Sequence, residues 1–329
     1  MVDPKFAAAI KTHTDGIWIS QSREIAIVKQ LSQQLTAAGF APLVQNSNNF
    51  GYPYVYNRGA VQVNCRLVDS VFFTDANSWY NESTVTVTDN HPLNPLAGPL
   101  ISVLPEFWSI WHFIPEYVNR PATHGYNCFM NRPRGDRSIV FYELIERDIL
   151  NQGIVSYNCT NEELEQQFIK ADLQQYQKTH DIGCELLPYN TVQTHGTVEQ
   201  CIIDSNVSLI LETYTSNSHI VFSEKIFRAL QLPRPWLLYC SPGSIALLKQ
   251  YGFDVLDEYA DVSYDDIVVH GDRLQAILNQ METFINRKYT EQDYQRFAQA
   301  ALHNQILLAT FANNWPTKFN EILNCIKKL

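Results

Sequence analysis

The chain has 329 residues, 45% of them hydrophobic and 18% charged, which excludes a disordered polymer and gives room for two cores of ordinary size. Lys and Arg number 24 against 34 Asp and Glu, a net charge of −10 that argues against a broad nucleic-acid footprint and leaves room only for a local basic cleft. The longest apolar runs, such as Trp236–Cys240 and Ile245–Leu248, are too short to span a bilayer. The N-terminal stretch has no signal-peptide apolar region, and the seven cysteines show neither a CxxC pair nor metal-ligand spacing. Reduced core thiols in a cytoplasmic protein are the expectation, without a metal or a permanently bound cofactor.

In the first half, Arg23–Ala38 carries an apolar face (Ile25, Ile27, Val28, Leu31, Leu35) and stops at Gly39, the pattern of a helix. Phe40–Val44, Val61–Val68, Thr84–Thr88 and Leu100–Leu104 have the residue types of strands. Asn90–Pro99 is a proline-rich loop, Pro105–Tyr117 is aromatic without a clear period, and Asn119–Thr123 resembles a linker.

The second half alternates. Strands are predicted at Tyr126–Asn131, Ile154–Asn158, Cys201–Ile203, Val207–Leu211, Trp236–Cys240 and Phe253–Leu256. Helices are predicted at Gly135–Leu150 with Gly153 after it, from Thr160 to about Tyr176, at Ser223–Leu230, at Pro242–Gln250 behind a Ser241 cap, and over Asp265–Asn286. A last helix opens at Thr290-x-x-Asp293 and breaks near Asn313–Pro316. Strands alternating with helices imply an α/β fold with a parallel sheet. In such sheets ligands bind beyond the carboxyl ends of strands, which selects the loops after Asn131, Glu212 and Cys240.

Each of these loops carries polar chemistry. In Asn131-Arg132-Pro133-Arg134-Gly135-Asp136-Arg137, three guanidiniums crowd a helix start, where the dipole disfavours them unless an anion is bound. A solvated surface loop has the same composition. Glu212 closes a strand, and Ser223-Glu224-Lys225 opens a helix. There Ser223 can cap, Glu224 can accept from sugar hydroxyls and Lys225 can neutralise phosphate, although ordinary capping explains the same residues. In Cys240-Ser241-Pro242-Gly243-Ser244, hydroxyls and the open backbone at Gly243 suit a phosphate or sugar, and a plain strand-to-helix turn suits them as well. Tyr264-Asp265-Asp266 with Arg273 reads as acidic helix-start chemistry and not as a metal pair. In the first half Asp75, Asp89, His91, Glu106 and His112 are candidate general bases, and no spacing rule selects among them. There is no Walker loop, GxSxG elbow or HExxH, nor a GxGxxG after a strand.

Taken in order, Asn131–Arg137, Gly153–Asn158, Glu212, Ser223–Lys225, Pro235–Val255 and Tyr264-Asp265 with Arg273 resemble the C-terminal domain of a group of GT-B glycosyltransferases of viral and bacterial type. These are distantly similar to α-1,3-fucosyltransferases. The likeness covers roughly Tyr126–Ile285 and leaves the first half untouched.

The resemblance implies two Rossmann-like domains with parallel sheets facing a central cleft: an acceptor-side domain over 1–120, a nucleotide-sugar domain over 121–312, and a helix over 313–329 that crosses back to the first. It implies an inverting, metal-independent transfer from a GDP- or UDP-sugar to an acceptor hydroxyl on a glycan, a protein or a hydroxylated base of phage DNA. Glu224 would bind the ribose, and Lys225 with one of Arg132, Arg134 or Arg137 the diphosphate. Glu106, Asp89 and His91 are the alternatives for the base. The chain departs from the fucosyltransferase pattern at Ser223, where that pattern has threonine, and at Thr213–Ser218, where it has an asparagine-rich segment. A non-catalytic nucleotide- or glycan-binding protein of the same fold is the alternative.

Overall fold

The computed structural model describes six short strand segments before residue 103, residues 117–130, 135–157, 189–190, 197–212 and 219–314, and isolated positions between and beyond them. The predicted helices over 23–38 and 160–176 lie outside the described residues. The chain divides into two compact units: one of 1–113, 216–227 and 305–329, the other of 114–215 and 228–304.

In the first unit, β1 (Leu43–Val44) pairs antiparallel with β2 (Val61–Gln62). Three strands, β3 (Cys65–Val68), β4 (Val85–Thr88) and β6 (Leu100–Ser102), form a parallel sheet in that order. Between β4 and β6 in the chain, β5 (His91–Pro92) pairs antiparallel with β11 (His219–Ile220).

The second unit is an α/β fold around a five-stranded sheet. Four strands run parallel: β7 (His124–Met130), β8 (Gly153–Tyr157), β10 (Ser205–Leu211) and β12 (Trp236–Tyr239). Their spatial order is β12-β10-β7-β8, and β9 (Tyr189–Asn190) lies antiparallel on the far side of β8. All seven residues of β10 and all five of β8 are buried, as expected of strands covered on both faces.

The covering helices are α1 (Gly135–Glu146), α2 (Val198–Ile203) and α5 (His270–Ile285), and α4 (Ser244–Gln250) follows β12. The longest of the covering helices, α5, buries Leu274, Ile277, Leu278, Met281 and Phe284, an apolar stripe at helical spacing, and packs on β7, β10 and β12. α1 stacks Phe141 on Tyr157 of β8 with ring centroids 4.3 Å apart. Two further helices, α3 (Glu224–Leu230) and α6 (Glu291–Asn313), complete the described set. The helix start predicted at Thr290-x-x-Asp293 is present and forms a capping box: the Thr290 N–H donates to the Asp293 carboxylate at 2.7 Å, and the Asp293 N–H donates back to Thr290 Oγ1 at 3.3 Å.

Several sequence expectations are corrected. Cys201–Ile203 is the end of α2 and not a strand, because Thr197 accepts a hydrogen bond from the Gln200 N–H and caps a helical turn. Phe253–Leu256 forms no strand. There the chain turns through Leu256 at φ 55°, and Asn304 Oδ1 accepts the Asp254 N–H. The helix expected from Asp265 begins instead at His270, after a 3-10 turn over Val262–Asp266. Among the described residues no helix is long and apolar enough to cross a membrane.

Asp204, between α2 and β10, organises the start of β7. Its backbone carbonyl accepts the N–H groups of Thr123 and His124, and its carboxylate takes a two-pronged contact from Arg120 at 2.6 and 2.5 Å. Burial opposes ionisation of this carboxyl, but the Arg120 and Gln200 hydrogen bonds outweigh it and hold the pKa below the ordinary value. A group with a depressed native pKa stabilises the fold above its unfolded pKa, near 4 for Asp, and loses that contribution as pH falls through the native value. We therefore expect Asp204→Asn to lower stability at neutral pH and to flatten the acid limb below about pH 4. Urea midpoints measured across that range check this; parallel curves for the two proteins would show that Asp204 does not drive the acid loss.

Candidate functional site at the carboxyl edge of the sheet

From β7 the chain moves one way to β8 and later returns to the other side for β10 and β12. The order therefore reverses between β7 and β10. In open α/β sheets the crevice beyond the carboxyl ends of two such strands is where ligands bind.

Four predicted residues of the second unit stand near this edge. Arg137 sits in the first turn of α1, which follows β7, and is 6% exposed. Glu212 follows β10, is 4% exposed, and anchors its backbone by donating its N–H to the Tyr239 carbonyl at 3.0 Å. Ser241 and Gly243 follow β12, Ser241 buried and Gly243 half-buried. The two loops are close enough that Glu212, together with burial, helps push the Cys240 thiol up to about 12.

The α4 turn differs from its prediction. The helix starts at Ser244, and its cap position is Gly243 at φ 77° and not Ser241. The cap comes from 20 residues away: Asp265 Oδ2 accepts the N–H groups of Ile245 at 2.9 Å and Ala246 at 3.0 Å. Asp265 is thus the anion bound at this helix start, which a phosphate would otherwise suit. Its neighbour Tyr264 accepts the Leu238 N–H on its phenol oxygen at 3.1 Å, so the 3-10 turn seals the edge of β12. Tyr264-Asp265 is explained by these two contacts.

A hydrogen-bonded chain spans the switch point. Thr215 Oγ1, beyond β10, donates to Asp136 Oδ2 at the start of α1 at 2.7 Å. The phenol of Tyr239, at the end of β12, is also in hydrogen-bonding contact with Thr215. Burial, with Asp136 adding to it, raises the Tyr239 pKa and keeps the phenol neutral. Arg273, on the first turn of α5 and 1% exposed, lies over the Tyr239 ring at 5.6 Å. It donates to the backbone carbonyls of Ile267 at 2.6 Å and Thr215 at 3.4 Å, and its Nε has no hydrogen-bond partner among the described residues. Burial lowers the Arg273 pKa, with Tyr239 the largest opposing influence. His270, half-buried at the start of α5, is held below the ordinary imidazole value by burial and by Arg273.

Ser223, Glu224 and Lys225 belong to the first unit, where they open α3 as predicted and are half-buried. Ser223 Oγ accepts from the Lys225 backbone N–H at 3.4 Å and from its ammonium at 2.9 Å. Phe222 and Phe227 meet edge-on at 6.0 Å beneath this turn. Arg132, Arg134, Asp89 and Glu106 lie outside the described residues; His91 is placed on β5, with its side chain outside them. Among the described residues no group of three or more His, Cys, Asp or Glu side chains is arranged to hold a metal ion.

Thr215, Tyr239 and His270 had no sequence signal, since a lone hydroxyl, phenol or imidazole beside an apolar segment is commonplace. No family model matches the chain, and neither a curated protein nor a solved structure matches it.

Proposed function

We propose that the chain is a glycosyltransferase of GT-B architecture that moves a sugar from a GDP- or UDP-sugar to an acceptor hydroxyl with inversion and without a metal. The observation that carries the reading is the reversal of strand order between β7 and β10, beside which lie the buried Arg137 and Glu212. The ordered likeness of Tyr126–Ile285 to such enzymes supports it independently.

In this reading Arg137, Lys225 and the neighbouring Arg132 and Arg134 offset the charge that develops on the departing diphosphate, the work a metal performs elsewhere. Glu224 accepts from the ribose hydroxyls. Asp89, His91 or Glu106 takes the acceptor proton as the hydroxyl oxygen attacks the anomeric carbon. The acceptor is a glycan, a protein or a modified DNA base.

A melting-point screen of nucleoside diphosphates and nucleotide-sugars tests the reading. A matching ligand at a hundred times its Kd adds about 2.7 kcal/mol and raises the melting point. Lys225→Ala is expected to remove that shift while the ligand-free melting point stays near wild type, because the side chain is half-buried and opens a helix. If no diphosphate moves the wild-type protein, the transferase reading fails. A shift without any sugar transfer or donor hydrolysis would identify a non-catalytic binder.

A further inference from the structure

We propose that Arg273 is a positioning residue of the carboxyl edge, fixing the loop after β10 and, through it, the first turn of α1 against which a nucleoside diphosphate binds. The inference rests on the proposed function above and extends it to residues outside the predicted donor contacts. Its basis is a continuous set of contacts. Arg273 reaches from the first turn of α5 to the carbonyls of Ile267 and Thr215, two loops 52 residues apart in the chain. Thr215 in turn donates its hydroxyl to Asp136, whose neighbour in α1 is Arg137. The Tyr239 ring, at the end of β12, lies against the guanidinium at 5.6 Å. One side chain thus ties together segments that follow or precede β7, β10, β12 and α5, all at one edge of the sheet.

The bonding pattern favours this role over that of a simple ion pair. Arg273 is 1% exposed, yet its two described hydrogen bonds go to backbone carbonyls. A planar fork spanning two carbonyls sets a geometry that a single ammonium does not reproduce. The cost of a loose site is large, since misplacing binding groups by about 1 Å can lose about 100-fold in rate.

The experiment uses whichever of UDP and GDP raises the wild-type melting point, with its Kd measured by calorimetry at a temperature where all proteins are folded. Arg273→Ala is expected to weaken binding at least about tenfold, and added guanidinium, filling the vacated space, to restore part of it. Because guanidinium destabilises folded proteins in general, a restored Kd cannot come from a gain in overall stability. Thr215→Val, which keeps the shape and removes the donor to Asp136, is expected to weaken binding in the same direction; it decides the matter if Arg273→Ala does not fold. Wild-type Kd in Thr215→Val, or an Arg273→Ala defect that guanidinium leaves untouched, overturns the inference and leaves the transferase reading intact. A wild-type protein that binds neither diphosphate overturns both.

Discussion

Gly153→Ala is expected to cost about 3 kcal/mol of unfolding free energy, read as a lower urea midpoint at unchanged slope. A Cβ on Gly153 would lie 2.4 Å from Tyr126 Cζ and 2.6 Å from both Cε atoms, distances that packed atoms do not occupy. The ring has no ready escape. Tyr126 is fully buried in β7, directly opposite Gly153 in the register, and its phenol donates to the Ile149 carbonyl at 3.1 Å. Swinging the ring aside breaks that bond and opens space in a dense core, and shifting β8 breaks the ladder to β7. The two residues therefore form one packing unit, and a double-mutant cycle should reveal it. In a Tyr126→Leu background the Gly153→Ala penalty should shrink to within about 0.5 kcal/mol of zero. An equal penalty in both backgrounds would locate the cost in the backbone.

Gly153 also marks what the sequence makes legible. It follows a helical pattern, so it reads as a helix stop, when its fold-determining contact is with a tyrosine 27 positions earlier, across the sheet. The four parallel strands are legible because apolar residues concentrate in each over a length that suits burial on both faces. The Thr290–Asp293 box is legible because both partners lie within one turn. Cys201–Ile203 misleads because three apolar residues have no measurable period, and the cap at Thr197 that distinguishes a helix is four positions away.

Asp265 misleads for a different reason. An acidic residue before a helical pattern suggests the start of that helix, whereas its carboxylate caps α4, 20 residues earlier in the chain. The candidate site follows the same division. Arg137 and Glu212 are visible as charges flanking strand ends, a local property. The contact of Arg273 with Thr215, separated by 58 residues, exists only once α5 packs on the sheet. Local chemistry is readable in advance, and partners chosen by topology are not.

Asn304→Leu carries the other large expected effect, a loss of about 2–5 kcal/mol, because this side chain satisfies three backbone groups at once. Asn304 lies on α6 and is 1% exposed. Its Nδ2 donates to the carbonyl of Leu230 at 3.0 Å, the last residue of α3, and to that of Asp254 at 2.9 Å, while its Oδ1 accepts the Asp254 N–H at 2.8 Å. Leu230 O is one of the terminal carbonyls that a helix cannot satisfy internally, and the turn at Asp254 has no ladder to supply partners. Leucine matches the volume and supplies no donor or acceptor, so the buried Leu230 carbonyl and the two half-buried Asp254 groups all lose these bonds. Asp254 would remain in place, since Arg296 holds its carboxylate at 2.7 and 2.9 Å.

Asn304→Asp separates hydrogen bonding from volume. It keeps an acceptor for the Asp254 N–H but sets a buried carboxylate against two carbonyl oxygens, which raises its pKa above the unfolded value near 4. With the native pKa above the unfolded one, stability is lost as pH rises through that interval. The aspartate variant should therefore be less stable at neutral pH than near pH 4, relative to wild type at each pH, while the leucine variant keeps a constant offset. Urea midpoints of the three proteins at both pH values test this, and an aspartate offset independent of pH would mean that the Asn304 position opens to solvent when substituted.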